Sequence, residues 1–152
     1  MERAELETTS PGGTEAVAAA VAHTLAPGDV VLIAGDVGTG KTTFVRGACR
    51  ALGVTDRVTS PSFTIGQAYA GPVPVAHVDL FRLESLQNED PALLADYLTP
   101  ERVAFVEWPG AGLPWIERER VVLELELSHE GGDRRRIRAS GSAAVVAALR
   151  SA

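Results

Sequence analysis

The run Gly35-Asp36-Val37-Gly38-Thr39-Gly40-Lys41-Thr42 constrains this chain more than any other feature. It satisfies the pattern G-x-x-x-x-G-K-[ST] at every fixed position, and its glycines let successive backbone N–H groups turn inward around a phosphate. Such a loop needs a strand to deliver it and a helix whose positive N-terminal end completes it. Both flanks carry the required pattern. Val30-Val31-Leu32-Ile33-Ala34 is a continuous apolar run led in by Asp29, which predicts a strand covered on both faces. After Thr42, the residues Phe44, Ala48, Ala51 and Leu52 recur at helical spacing, with Arg46 and Arg50 opposite and Gly53 as the stop. In this layout Lys41 would reach the β and γ phosphates of ATP and the Thr42 hydroxyl would bind Mg²⁺. The expected nucleotide cradle is Asp36, Val37, Gly38, Thr39, Gly40, Lys41, Thr42 and Thr43.

Charge narrows the partners. The 152 residues carry a formal net charge of −6, which argues against a broad basic face for wrapping nucleic acid. Lys41 is the single lysine in a chain otherwise supplied with arginine, and a compact ammonium suits a phosphate where a planar fork does not. The length fits one domain, 1–152, with a sizeable core. No apolar run approaches the roughly 20 residues that cross a bilayer, and the acidic start Met1 to Glu7 lacks the layout of a signal peptide. A cytoplasmic location with no membrane partner is expected. The lone Cys49 reads as a small buried hydrophobe on a helix.

Elsewhere, Thr14 is positioned to cap a helix bearing Val17, Val21 and Leu25, ended by Pro27-Gly28. A loop and strand are expected around Val58 to Tyr69, a strand over Val73 to Val78 ending in Asp79, a short helix over Pro91 to Leu98, and a buried strand Val103 to Val106 ending in Glu107. Leu123, Leu125 and Leu127 alternate with Glu124 and Glu126, which predicts a strand with one wet face. Gly131-Gly132-Asp133 turns it back into a return strand Arg134 to Arg138, and a helix over Val145 to Leu149 closes the chain. The fold class expected is α/β: a P-loop NTPase-like three-layer fold, with a mostly parallel central sheet and a C-terminal antiparallel hairpin.

Mg²⁺ takes carboxylates, often through water, so an acid is needed at the strand ends beside the loop. Glu107 is the first candidate for the metal. Asp79 could orient the attacking water, assist the metal or pair with Arg82. Lys41, Asp79 and Glu107 are thus the candidate catalytic groups, and Thr42 and Glu107 the candidate metal ligands. Ser60-Pro61-Ser62-Phe63-Thr64 lies where such folds sense the γ phosphate, or is an ordinary turn. His77 reads as a hydrogen-bonded structural histidine, and Trp108 could pack in the core or face a partner. The arginines at 134, 135, 136 and 138 are accounted for by cross-strand pairing with Glu124 and Glu126, with a nucleotide or RNA contact as the alternative.

Taken together, G-D-V-G-T-G-K-T-T-F-V-R-G at Gly35 to Gly47, S-P-S-F-T-I at Ser60 to Ile65, H-V-D-L-F-R-L at His77 to Leu83 and V-E-W-P at Val106 to Pro109 resemble the signature blocks of the TsaE (YjeE) family. Order and spacing agree over almost the whole chain. Ser62 stands where the family usually has Thr, and Phe81 where it usually has Tyr, which loses a phenolic hydroxyl. The resemblance implies a Mg-dependent ATPase required for threonylcarbamoyladenosine in tRNA, working with TsaD and TsaB and touching tRNA only indirectly. It implies that Lys41 and Thr42 hold phosphate and metal, that Glu107 is the metal-site acid and Asp79 the essential aspartate, and that Ser60 and Trp108 are important. It also implies that Pro11 to Thr14 and an arginine near Arg134 flank the adenine. ATP binding and slow hydrolysis would then switch affinity for the partner complex. A small-molecule kinase and a non-hydrolysing scaffold are the competing readings.

Overall fold

Alternate residues of the central strands face two separate cores, which is why those strands read as unbroken apolar runs. The computed structural model describes residues 1–36, 38–61, 65–81 and 92–152. In it, β2 (Val30–Ala34), β4 (Val75–Asp79) and β5 (Val103–Glu107) run parallel at the centre of the sheet, with β6 (Val121–His129) parallel on the other side of β2. Val31, Ile33, Val103 and Phe105 pack with α1 (Pro11–Ala22), α2 (Lys41–Ala51) and α4 (Ala143–Arg150). Val30, Leu32, Ala104 and Val106 meet Leu94 of α3 (Ala92–Ala95), Leu98 and Ile116 on the opposite face. Antiparallel strands finish both margins: β3 (Gly66–Tyr69) beside β4, and β7 (Arg135–Gly141) beside β6, followed by β1 (Glu2–Thr8). The order β1-β7-β6-β2-β5-β4-β3 gives the expected α/β architecture, with a parallel centre and the C-terminal hairpin β6–β7. As the alternation predicts, Leu123, Leu125 and Leu127 are buried while Glu126 is exposed. Cys49 is fully buried, and burial pushes its thiol up to about 12.

Several local expectations are corrected. The first helix is capped by Ser10, whose Oγ accepts the Gly13 N–H at 3.0 Å, with Pro11 preset in the first turn. Thr14 lies inside the helix, buried and hydrogen-bonded to Thr8 at 2.7 Å. The acidic start forms β1, an edge strand with no apolar run to announce it. Because β1 lies against β7, the arginine cluster is served mainly from that side: Arg134 pairs with Glu7 at 3.0 Å and Arg136 with Glu5 at 3.3 Å. Of the expected partners, Glu126 is reached by Arg138 at 3.7 Å, whereas Glu124 pairs with Arg118. The fourth strand starts at Val75 rather than Val73, and the return strand runs from Arg135 to Gly141. The expected helix from Pro91 is described over Ala92–Ala95, and Pro91 lies outside the described residues.

Helices α1 and α2 approach so closely at Gly47 that a Cβ there would lie 2.6 Å from Glu15 Cα and 2.7 Å from its carbonyl oxygen. Gly47→Ala therefore has to push one backbone off another, a cost in the upper part of the roughly 1–3 kcal/mol of overpacking, which a helix-propensity gain of about 1 kcal/mol only partly offsets. A net loss of about 1–2 kcal/mol is expected, at 2–4 °C of melting temperature per kcal/mol for a chain of roughly this size. Circular-dichroism melting checks it; an unchanged or raised midpoint would contradict the helix crossing.

Candidate phosphate-binding site

The parallel direction of β2, β4 and β5 brings their C-terminal ends to one edge of the sheet, and three candidate groups arrive there together. Ala34 leads into the glycine loop, Asp79 pairs in register with Glu107, and the Trp108 N–H donates to Ile33 O at 3.0 Å. The loop is held by its own backbone. Gly35, Gly38 and Gly40 have φ of +143°, +82° and +97°, and Gly40 in the left-handed region starts α2. Thr39 is buried, its Oγ1 donating to Asp36 O at 2.8 Å. Val37 lies outside the described residues.

Lys41 turns back into this loop. Its Nζ donates to Gly35 O at 2.6 Å and Asp36 O at 2.8 Å, and sits 4.4 Å from the centroid of the Trp108 ring. Only 5% of the residue is exposed. Burial pushes its ammonium below the ordinary lysine value, while the charges of Glu107, Asp79 and Asp36 pull it back up. One turn into the site, the Thr42 hydroxyl faces both Glu107 oxygens at 3.3 and 3.5 Å and bonds Ser60 Oγ at 2.7 Å. Thr43 follows, half-buried.

Glu107 is 2% exposed and its Oε2 is bonded to His77 Nε2. Asp79 is half-buried, and its Oδ1 accepts the Phe81 N–H at 3.0 Å. Desolvation is the main reason its carboxyl lies above the ordinary value, and the Glu107 charge adds to this; the Phe81 N–H, His77 and Lys41 oppose it. Trp108 settles between the two readings made of it: half-buried, with φ of +53°, it packs against Lys41 and against the exposed Phe81 ring, centroids 4.9 Å apart. Arg82, Ser62, Phe63 and Thr64 lie outside the described residues.

The donor set fits a nucleotide with Mg²⁺. A glycine turn with one ammonium turned into it is the donor type that suits a phosphate, and a hydroxyl beside carboxylates is the kind of oxygen set that Mg²⁺ takes. Among the described residues no three His, Cys, Asp or Glu side chains converge as a metal cage.

Arg134 is exposed and engaged by Glu7, whose carboxyl this hydrogen bond and charge hold below the usual range. Its neighbour Arg135 is the arginine beside the cradle: a Cβ on Gly40 would lie 4.0 Å from Arg135 Nε. Arg135 Nη1 donates to Gly132 O and Arg134 O. The hydrogen bond expected of His77 is present, and its partner Glu107 is the part that the sequence leaves unnamed. The i, i+2 spacing of His77 and Asp79 puts both on one face of a strand, but it does not say which residue of the neighbouring strand His77 meets.

The description "Threonylcarbamoyl adenosine biosynthesis protein TsaE" belongs to a family model that matches residues 8–137. The chain belongs to the TsaE family. It is 37% identical over 138 residues to the tRNA threonylcarbamoyladenosine biosynthesis protein TsaE of Bacillus subtilis, covering 90% of this chain and 85% of that one. A Streptomyces coelicolor protein of the same description is 36% identical over 110 residues, 70% of this chain and 74% of its own. The crystal structure of YdiB from Bacillus subtilis superposes with a TM-score of 0.77 at 30% identity, covering 99% of this TsaE-family chain and 93% of YdiB. Among the described residues no helix is long and apolar enough to cross a membrane.

Proposed function

We propose that this chain binds ATP with Mg²⁺ in the loop 36–43, hydrolyses it slowly, and uses the nucleotide to switch its affinity for a TsaD and TsaB complex that modifies tRNA. The observation that carries the reading is the placement of Lys41 Nζ inside the glycine loop with the Thr42 hydroxyl and Glu107 carboxylate beside it. In this mechanism the loop amides and the start of α2 bind the phosphate tail, and Lys41 leaves the Gly35 and Asp36 carbonyls for the β and γ oxygens. Thr42 and Glu107 would hold Mg²⁺, which supplies charge neutralisation on the bridged phosphates. Asp79, at the end of the neighbouring strand, would accept a hydrogen bond from the attacking water. Trp108 and Phe81 connect Lys41 to the surface, giving a partner a route to sense whether the ammonium is turned inward or onto phosphate. Contact with tRNA is indirect, through the partner complex.

P-loop proteins whose site is completed by a partner turn over at roughly 10⁻⁴ to 10⁻² per second alone. The same rate range is expected here for the purified chain, rising when TsaD and TsaB are added, and ATP is expected to change how much of the chain those proteins retain. Phosphate release with and without the partners, and co-precipitation with and without ATP, measure both. Turnover of many per second that the partners leave unaltered would refute the switch.

A further inference from the structure

His77 is completely buried on β4, opposite Phe105 of β5 and two residues before Asp79, which itself lies opposite Glu107. This diagonal brings Nε2 onto Glu107 Oε2. The other ring nitrogen, Nδ1, is buried and has no hydrogen-bond partner among the described residues. A proton on Nδ1 would leave a buried donor unpaired and turn the Nε2 lone pair toward a carboxylate, so the proton belongs on Nε2. A leucine or phenylalanine would fill the position without an orphaned nitrogen, so packing does not explain a histidine here. The Thr42 hydroxyl approaches both oxygens of the same carboxylate, 3.3 Å from Oε2, the oxygen that His77 holds, and 3.5 Å from Oε1.

The geometry points to His77 as a positioning residue: its Nε2–H fixes the rotation of Glu107 so that the carboxylate presents its oxygens to the metal side of Thr42. This rests on the Mg–ATP reading above. Groups that orient a metal ligand from behind typically change metal affinity by about 10- to 100-fold when removed, while a direct phosphate contact is left alone.

Calorimetric titration with ADP, in EDTA and across a Mg²⁺ series, tests this on the whole chain. Wild type, His77→Gln, His77→Asn and His77→Leu are expected to bind ADP equally in EDTA. A glutamine amide reaches the place of Nε2 and keeps the Mg²⁺ response; asparagine and leucine are expected to need about 10- to 100-fold more Mg²⁺ for the same gain. If the leucine variant does not fold, the glutamine and asparagine variants decide between them. Unchanged Mg²⁺ dependence in the leucine or asparagine variants would overturn the assignment, as would a loss of ADP binding that is equal in EDTA and Mg²⁺ and is not restored by glutamine. A wild type without any Mg²⁺ response would instead overturn the metal reading on which this inference stands.

Discussion

Lys41→Ala is expected to weaken ATP binding by about a hundredfold or more and to bring phosphate release to background. Two charge-assisted hydrogen bonds to phosphate are lost, each worth roughly 1.5–3 kcal/mol, and about 1.4 kcal/mol corresponds to each tenfold in affinity. Lys41→Arg is expected to fail nearly as badly: the ammonium sits between two carbonyls of one tight turn with a tryptophan ring behind it, and a planar fork does not fit a pocket shaped for a point charge. Isothermal calorimetry with ATP and Mg²⁺ measures both variants. Affinity retained within threefold in the alanine variant would remove the phosphate cradle as an explanation of the site.

Gly35→Ala is expected to give the largest loss of stability among single-methyl additions to the loop. A Cβ there would run into the Leu127 carbonyl and lie 2.8 Å from Thr39 Oγ1, on a backbone whose φ of +143° an L side chain rarely adopts. Strain of roughly 1–3 kcal/mol adds to overpacking of similar size, for a total of about 2–6 kcal/mol and a fall in melting temperature of about 10 °C. Gly38→Ala is the control: φ is +82°, but no atom of the described residues lies within 4 Å of the added methyl, so the strain alone remains. Thermal unfolding of the two variants separates close approach from conformational freedom; equal losses would mean that the Leu127 carbonyl does not limit the turn.

What could be read from the residues follows from how local each cause is. The glycine turn between β2 and α2 was legible because glycine positions, lysine and flanking periodicity all lie within a short stretch, and β2 and β5 because both faces of a central strand are covered. Glu107 could be anticipated from the four apolar residues before it. β1 could not, because an edge strand with Glu5 and Glu7 turned to solvent takes its identity from the neighbour that pairs with it, here Arg138 and Arg136. The true partners of the arginine cluster were hidden for the same reason. The contact between His77 and Glu107 depends on the relative register of two strands thirty residues apart, a quantity no local pattern encodes. The Ser10 cap was legible in principle: serine followed by proline at the first helical position is a start signal stronger than the threonine preferred over it.

The inward turn of the Lys41 side chain makes anion capture an exchange rather than a simple addition. A phosphate arriving at the loop competes with two peptide oxygens that already satisfy the amine, so part of the attraction is spent undoing an internal attachment. Release runs the same trade backwards, with those oxygens ready to take the amine again. On the proposed reading, a chain built this way would empty readily, as a component that cycles between two occupancies requires.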